Sequence, residues 1–394
     1  MTLKLTFWKV VAFVIMGIGL IALVQRYALG LGATTHLADT FPWGLWIGFD
    51  ILVGVGLAAG GFTIAATVYV FNLERFRPIL RPTILTAFLG YLLVIAGLMV
   101  DLGRPWAIWH AIIMWNTHSV MFEVAWCVML YTTVLALEFS PVILERFKLE
   151  KPLKVIKAIT IPLVIVGVIL STLHQSSLGS LFLIIPSRMH PLWYSNIIPF
   201  LFIISCVGAG LAMTIFESFL SSRAFGREVE LPLLSELAKV LAIVLALLFT
   251  VRVQDLMTRD SLKYVFEPTY QSGMFALEMV LGVMLPFVLL LFPNVRNSKK
   301  GLFYAAVFVL LGFVANRMNT AITSMEQWPS RTYIPSWQEV FVTLGLAAFG
   351  FVAFAVIAKN FKVFGEKSHH EAGGHEVMER TVHHVPELRA VVAK

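Results

Sequence analysis

The sequence predicts an all-α integral membrane protein with about ten transmembrane helices. Three observations carry that prediction. Of 394 residues, 58% are hydrophobic and only 13% are charged, whereas a soluble domain carries about 25% charged residues. The apolar residues fall in long blocks of about 20, the length that crosses a bilayer core. Lysines and arginines gather in alternate connections between those blocks, the pattern of a polytopic chain. That pattern accounts for the net charge of +7, so the expected partner is the lipid bilayer and no nucleic acid is expected.

Taken in order, the runs are 7–29, 44–71, 83–101, 119–139, 158–175, 197–220, 237–257, 273–292, 301–320 and 338–358. Lys4 and Lys9 precede Val10–Val24 in the manner of a signal peptide. The apolar character continues to Leu31 and many spans follow, so an uncleaved first helix is expected. In the second run, Gly54, Gly56, Ala58, Gly60 and Gly61 permit close approach of a neighbouring helix. Arg75, Arg77, Arg81, the cluster Arg146–Lys157, Arg223, Arg227, Arg296, Lys299 and Lys300 mark the cytoplasmic connections. Both termini join that side, which predicts an inner-membrane protein with cytoplasmic ends. The tail 365–394, with His369, His370, His375, His383 and His384, reads as a solvated cytoplasmic segment.

A parallel repeat runs through the chain. VGVGLA at 53–58 returns as VGAGLA at 207–212, and Asp101-Leu102 as Asp255-Leu256, both 154 residues later. SVMFE at 119–123 resembles SGMFALE at 272–278. Four helices separate the copies, so both insert the same way up. The expected organisation is therefore a first helix and outer loop (1–43), a four-helix bundle (44–196), a second four-helix bundle (197–337), a last helix (338–364) and the tail (365–394). Helices one and ten are peripheral. No histidine occurs from 191 to 368, so histidine chemistry belongs to the first bundle and the second reads as scaffold.

The chemistry concentrates around 101–123, DLGRPWAIWHAIIMWNTHSVMFE. A carboxylate within a span costs roughly 2.5–3.5 kcal/mol on insertion scales and marks a candidate functional site. Glu123, one turn into the fourth run, is a candidate proton carrier, with His118 one turn before it on the same face. Asp101 is a second, with Arg104 three residues on as its neutralising partner. Trp43, Trp46 and Asp50 offer aromatic surface beside a hydrogen-bonding group, the (i, i+4) spacing of Trp46 and Asp50 putting them on one face. His174, at the end of the fifth run, is followed by Gln175, Ser176 and Ser177, all capable of hydrogen bonding a quinone oxygen. Arg252 with Asp255, and Glu278 with Arg317, are expected ion pairs. Glu138 and Glu217 read as solvated acids near helix ends.

Cys127 and Cys206 lie within apolar runs and no CxxC occurs, so no iron–sulfur cluster and no metal site is expected in this chain. A membrane haem needs paired axial ligands, and only His174 is near a helix interior, so no haem is expected.

FPWGLWIGFD at 41–50, YVFN at 69–72, NTHSVMFE at 116–123, LEFSP at 137–141, HQSSLGS at 174–180 and HPLW at 190–193 resemble the NrfD (polysulfide reductase membrane subunit) family. The resemblance spans about residues 1–358. It points to the branch holding the HybB-like membrane subunit of nickel–iron hydrogenase, together with DsrP-like and Hmc-like subunits. It implies two four-helix bundles and a site for menaquinone or ubiquinone, as substrate, near the outer face. It also implies an iron–sulfur ferredoxin-like partner there, joined to a catalytic subunit such as a nickel–iron hydrogenase, a sulfur-metabolism enzyme or a multihaem cytochrome c. Glu123 falls at the family position linked to proton transfer, and His174 in the HQSS motif.

The expected function is electron exchange between that partner and the quinone pool, with Trp43, Trp46, Asp50, His118, His174, Gln175 and Ser176 binding quinone. Glu123, Asp101 and His118 move its protons. The competing class is an ion-translocating subunit or transporter without quinone chemistry, which uses the same buried acids but needs no aromatic docking surface.

Overall fold

Ten long helices form from the ten runs in the computed structural model, which describes residues 7–326 and 332–364. They are α1 (Phe7–Leu29), α2 (Trp46–Val70), α3 (Glu74–Asp101), α4 (Val120–Arg146), α5 (Thr160–Ile184), α6 (Ile198–Phe225), α7 (Leu231–Thr258), α8 (Tyr270–Leu291), α9 (Lys299–Thr323) and α10 (Trp337–Asn360). Each is long and apolar enough to cross a bilayer. The chain is a multi-pass integral membrane protein. The expected tail, 365–394, lies outside the described residues.

Several helices outrun their apolar blocks. Helix α3 begins at Glu74 rather than 83: a single tight turn, Glu74–Phe76, leads into the α-helix at Arg77, whose first turn accepts Pro78 because the missing N–H is not needed there. Helix α5 continues past 175, so His174 lies inside the helix and not at its end. The serines that suggested a terminus bond back into the helix instead. Ser176 and Ser177 hydroxyls donate to the Leu173 carbonyl at 2.8 Å, and Ser180 to that of Ser176 at 3.0 Å.

Helices α2, α3, α4 and α5 each pack on the next, and α5 returns to α2; α6 to α9 close a second ring in the same way. The rings meet where α6 lies against α2 and α5. Helices α1 and α10 pair with each other and rest on α3. The glycine stripe explains the seam between rings. A Cβ on Gly210 would stand 2.7 Å from the Gly60 nitrogen, so only hydrogen fits between these backbones. Helix α2 itself is irregular, with wide π-type turns at Trp46–Val53 and Ala66–Val70. Such turns leave backbone groups misaligned and recur at functional sites.

The connector from α5 to α6 closes one end of the second ring. His190 N–H donates to the Ser324 carbonyl at 2.8 Å, and Arg259 to that of Pro191 at 3.0 Å. Arg252 donates to the Leu192 carbonyl at 2.7 Å. Ser195 donates to Asp255 at 2.6 Å. The expected Arg252–Asp255 pair is therefore not formed. Asp255 pairs with Arg259, one full turn along α7, at 2.7 Å.

Two predictions test this packing. Gly210→Leu overpacks the α2–α6 seam, and a thermal melt of the purified chain should show a loss of about 3 kcal/mol or more. Burial pushes the His190 imidazole below its usual pKa, against a smaller opposing pull from Glu267. The folded chain thus resists protonation that the unfolded chain accepts at about pH 6.5. Stability is full above that pH and falls as pH drops below it; His190→Asn should flatten the melting midpoint between about pH 7 and pH 5.

Candidate functional site

The first ring encloses a small polar set. Tyr91 on α3, Tyr131 on α4 and His174 on α5 are all fully buried. The Tyr91 hydroxyl and His174 Nδ1 are 2.9 Å apart. The two tyrosine rings meet edge to face at 4.7 Å. His174 Nε2, the Tyr131 hydroxyl and both amide atoms of Gln175 are buried without a hydrogen-bond partner. More than nine in ten buried polar groups have one, so four orphaned atoms on adjacent helices form an unusual concentration of unused bonding capacity. Ser176 is not among them, since its hydroxyl is spent on α5.

Glu123 and His118 lie elsewhere. Ser119 caps α4, and Glu123 sits exposed in its first turn with His118 exposed just before it. Glu123, Cys127 and Tyr131 recur every four residues, so one face of α4 leads from the exposed carboxylate to the buried tyrosine.

Trp46 and Asp50 do share a face, and that face meets α10. Trp46 Nε1 donates to the Glu339 carbonyl at 3.3 Å, and one turn on Thr343 donates to Asp50 at 2.8 Å. Trp46 is 1% exposed, packed among Ala22, Val100 and Val342. The pair therefore stands apart from His174. Trp43 is half-buried, edge-on to Phe182 at 5.4 Å. Asp101 has Arg26, not Arg104, as its opposite charge. Arg26 also caps the end of α3 through the Val100 and Leu102 carbonyls, both at 2.8 Å, and Arg104 is exposed. The seven expected quinone ligands thus divide between the ring interior, the rim of α4 and the α2–α10 seam.

Sequence reasoning missed three residues that the structure brings forward. Glu339 is 0% exposed and accepts from the N–H groups of His36 (3.1 Å) and Ser336 (2.8 Å) and from the Tyr333 hydroxyl. Its signal was present: Ser336-x-x-Glu339 is a capping box. Tyr91 and Tyr131, each within an apolar run, are the other two. Glu217 is 8% exposed, not a solvated end, and with Asp50 lines an apolar cavity of about 520 Å³ between α2, α3, α6, α9 and α10. Glu138 is half-buried beside Gly167 of α5.

A family model described as polysulphide reductase, NrfD, matches residues 33–326. The chain belongs to the NrfD family. It is 38% identical over 369 residues to a protein of Nitratidesulfovibrio vulgaris, covering 91% of this chain and 94% of that one. It is 32% identical over 363 residues to the probable Ni/Fe-hydrogenase 2 b-type cytochrome subunit of Escherichia coli K12, covering 91% and 92%. It is 28% identical over 403 residues to the menaquinone reductase integral membrane subunit of Nitratidesulfovibrio vulgaris, covering 93% of each.

Within this NrfD chain, the two kinds of carboxylate predict different costs of removal. Glu339→Ala leaves three donors without their shared acceptor, the Tyr333 hydroxyl and Ser336 N–H of them buried, and should cost about 3 kcal/mol or more in a thermal melt. Glu123→Ala removes an exposed group and should stay within about 0.5 kcal/mol.

Proposed function

We propose that the chain is the quinone-reactive membrane subunit of a respiratory oxidoreductase, lying in the cytoplasmic membrane with both termini inside. It exchanges electrons between an iron–sulfur partner on the histidine-bearing outer face and menaquinone or ubiquinone in the bilayer, with coupled proton transfer. Family membership and the menaquinone reductase relative support the class. The hydrogenase and menaquinone reductase relatives support a partner of the hydrogenase or sulfur-metabolism type. The observation that carries the site is the orphaned set at His174 Nε2 and the Gln175 amide.

The chemistry follows from the hydrogen bonds. With Tyr91 donating to Nδ1, His174 carries its proton on Nε2 and donates to a quinone carbonyl. The Gln175 amide offers a second donor. Two electrons and two protons convert quinone to quinol, and the donors aimed at the carbonyl oxygens stabilise the negative charge that develops there. The α4 face from Tyr131 through Cys127 to Glu123 moves protons between the ring and the outer rim, where His118 adjoins it. Asp101, Trp46 and Asp50 serve the α10 seam in this reading, and Trp43 lines the approach from the outer face.

A b-type haem, which the Escherichia coli relative's name carries, fits this donor set poorly. His174 is the single histidine among the described spans, and its Nδ1 is engaged with Tyr91.

His174→Leu in the assembled complex should lower quinone-dependent turnover by about 10-fold, the loss of one well-placed hydrogen bond, and weaken a quinone-analogue inhibitor equally. Trp46→Phe should leave both unchanged. Glu123→Gln should slow turnover while leaving inhibitor affinity intact. Turnover indifferent to every quinone analogue would instead favour the ion-translocating class.

A further inference from the structure

The second ring holds an interior of its own. Five ionisable side chains cluster towards one end of it: Arg252, Asp255 and Arg259 on α7 and at its end, Glu278 on α8 and Arg317 on α9. Arg259 and Asp255 neutralise each other. Glu278, 2% exposed, is satisfied by neutral donors. Trp193 Nε1 (3.1 Å), Asn316 Nδ2 (3.2 Å) and Asn319 Nδ2 (2.7 Å) reach its two oxygens. No carboxylate among the described residues lies within 4.0 Å of Arg252 or Arg317, so the expected Glu278–Arg317 pair is replaced by a bridge through Asn316.

Three guanidiniums against two carboxylates leave one positive charge in excess in a largely buried cluster. Arg317 is 1% exposed. It stacks on Phe202, 3.6 Å from the ring centre, and donates to Asn316 (2.7 Å) and Ser205 (2.8 Å). Its Nε–H is buried with no partner. Arg252, Arg317 and Glu278 line one cavity of about 60 Å³. Glu278 can balance only one of the two guanidiniums it faces, and a buried positive charge in excess is strongly unfavourable. The free donor and the cavity are at the place where a counter-ion would relieve it.

The geometry points to a binding site for a small monovalent anion of chloride size between Arg252 and Arg317. The Glu278 oxygens are already occupied by the amides and the indole, so the donors left free are guanidinium N–H groups. The second ring is thereby a bundle whose charge balance is completed by an inorganic ion, independently of how the first ring treats quinone.

The test uses the full chain in lipid nanodiscs, with sodium chloride exchanged for sodium gluconate at constant ionic strength. The melting midpoint should rise with the logarithm of chloride concentration above Kd, by about 5 °C at 100-fold excess. Gluconate, a far bulkier and more strongly hydrated anion than chloride, should give no rise. The chloride-dependent rise should vanish in Arg317→Gln and persist in Arg104→Gln, an exposed site at the chain's other bundle. Equal midpoints in chloride and gluconate overturn the proposal. Should Arg317→Gln fail to accumulate, crystals of the unmodified chain grown in bromide decide the matter. An anomalous peak between Arg252 and Arg317 upholds the site, and its absence refutes it.

Discussion

Hydrocarbon supplies no hydrogen bonds, so every polar group within the spans must find its partner inside the protein. That constraint orders the structure. Arg26 spends its guanidinium on the open carbonyls of α3, Glu339 gathers three donors at the start of α10, and the serines of α5 turn back on their own helix. Where these demands are met, the residue is part of the frame. Where they are not, at His174 and Gln175 in one ring and at Arg317 in the other, unused bonding capacity remains.

The two rings answer the constraint differently although their sequences repeat. Ser119 caps α4, but α8 is capped by Thr269, one turn before the serine that matches Ser119 in the repeat. Helix α8 therefore starts earlier, and Glu278 lies more than two turns deep while Glu123 stays at the rim. The earlier start, with the two extra residues between Ser272 and Glu278, places that acid deep in its helix. The first ring buries an imidazole among tyrosines; the second buries guanidiniums among amides. The connector 186–197 binds them together, its carbonyls held by the arginines of α7.

The ten spans, their approximate bounds and the close approach of a neighbour to α2 through small residues were legible, because apolar length and glycine spacing depend on local sequence alone; that the neighbour is α6 was not. The partners of Trp46 and Asp50 were not. Their shared face was correctly read from the (i, i+4) spacing, but which helix it meets depends on how α10 returns across some 290 residues of chain. The same holds for Asp255, whose nearest arginine in sequence was Arg252 at three residues, while the side-chain direction along the helix favoured Arg259 at four. His174 was picked out as chemistry-bearing, yet its depth was misjudged because Gln-Ser-Ser reads as a helix end when the hydroxyls' intrahelical bonds are ignored. Tyr91 escaped notice since a tyrosine in an apolar run is indistinguishable from phenylalanine until its hydroxyl finds His174.

The account depends on quinone meeting the first ring's interior. A photoreactive menaquinone analogue, activated in the assembled complex and mapped by peptide mass spectrometry, tests this directly. Labels on the α3, α4 and α5 segments around Tyr91, Tyr131 and His174, suppressed by excess menaquinone, are the predicted result. Labels confined to the apolar cavity among α2, α6, α9 and α10, or no competable labelling at all, would contradict it.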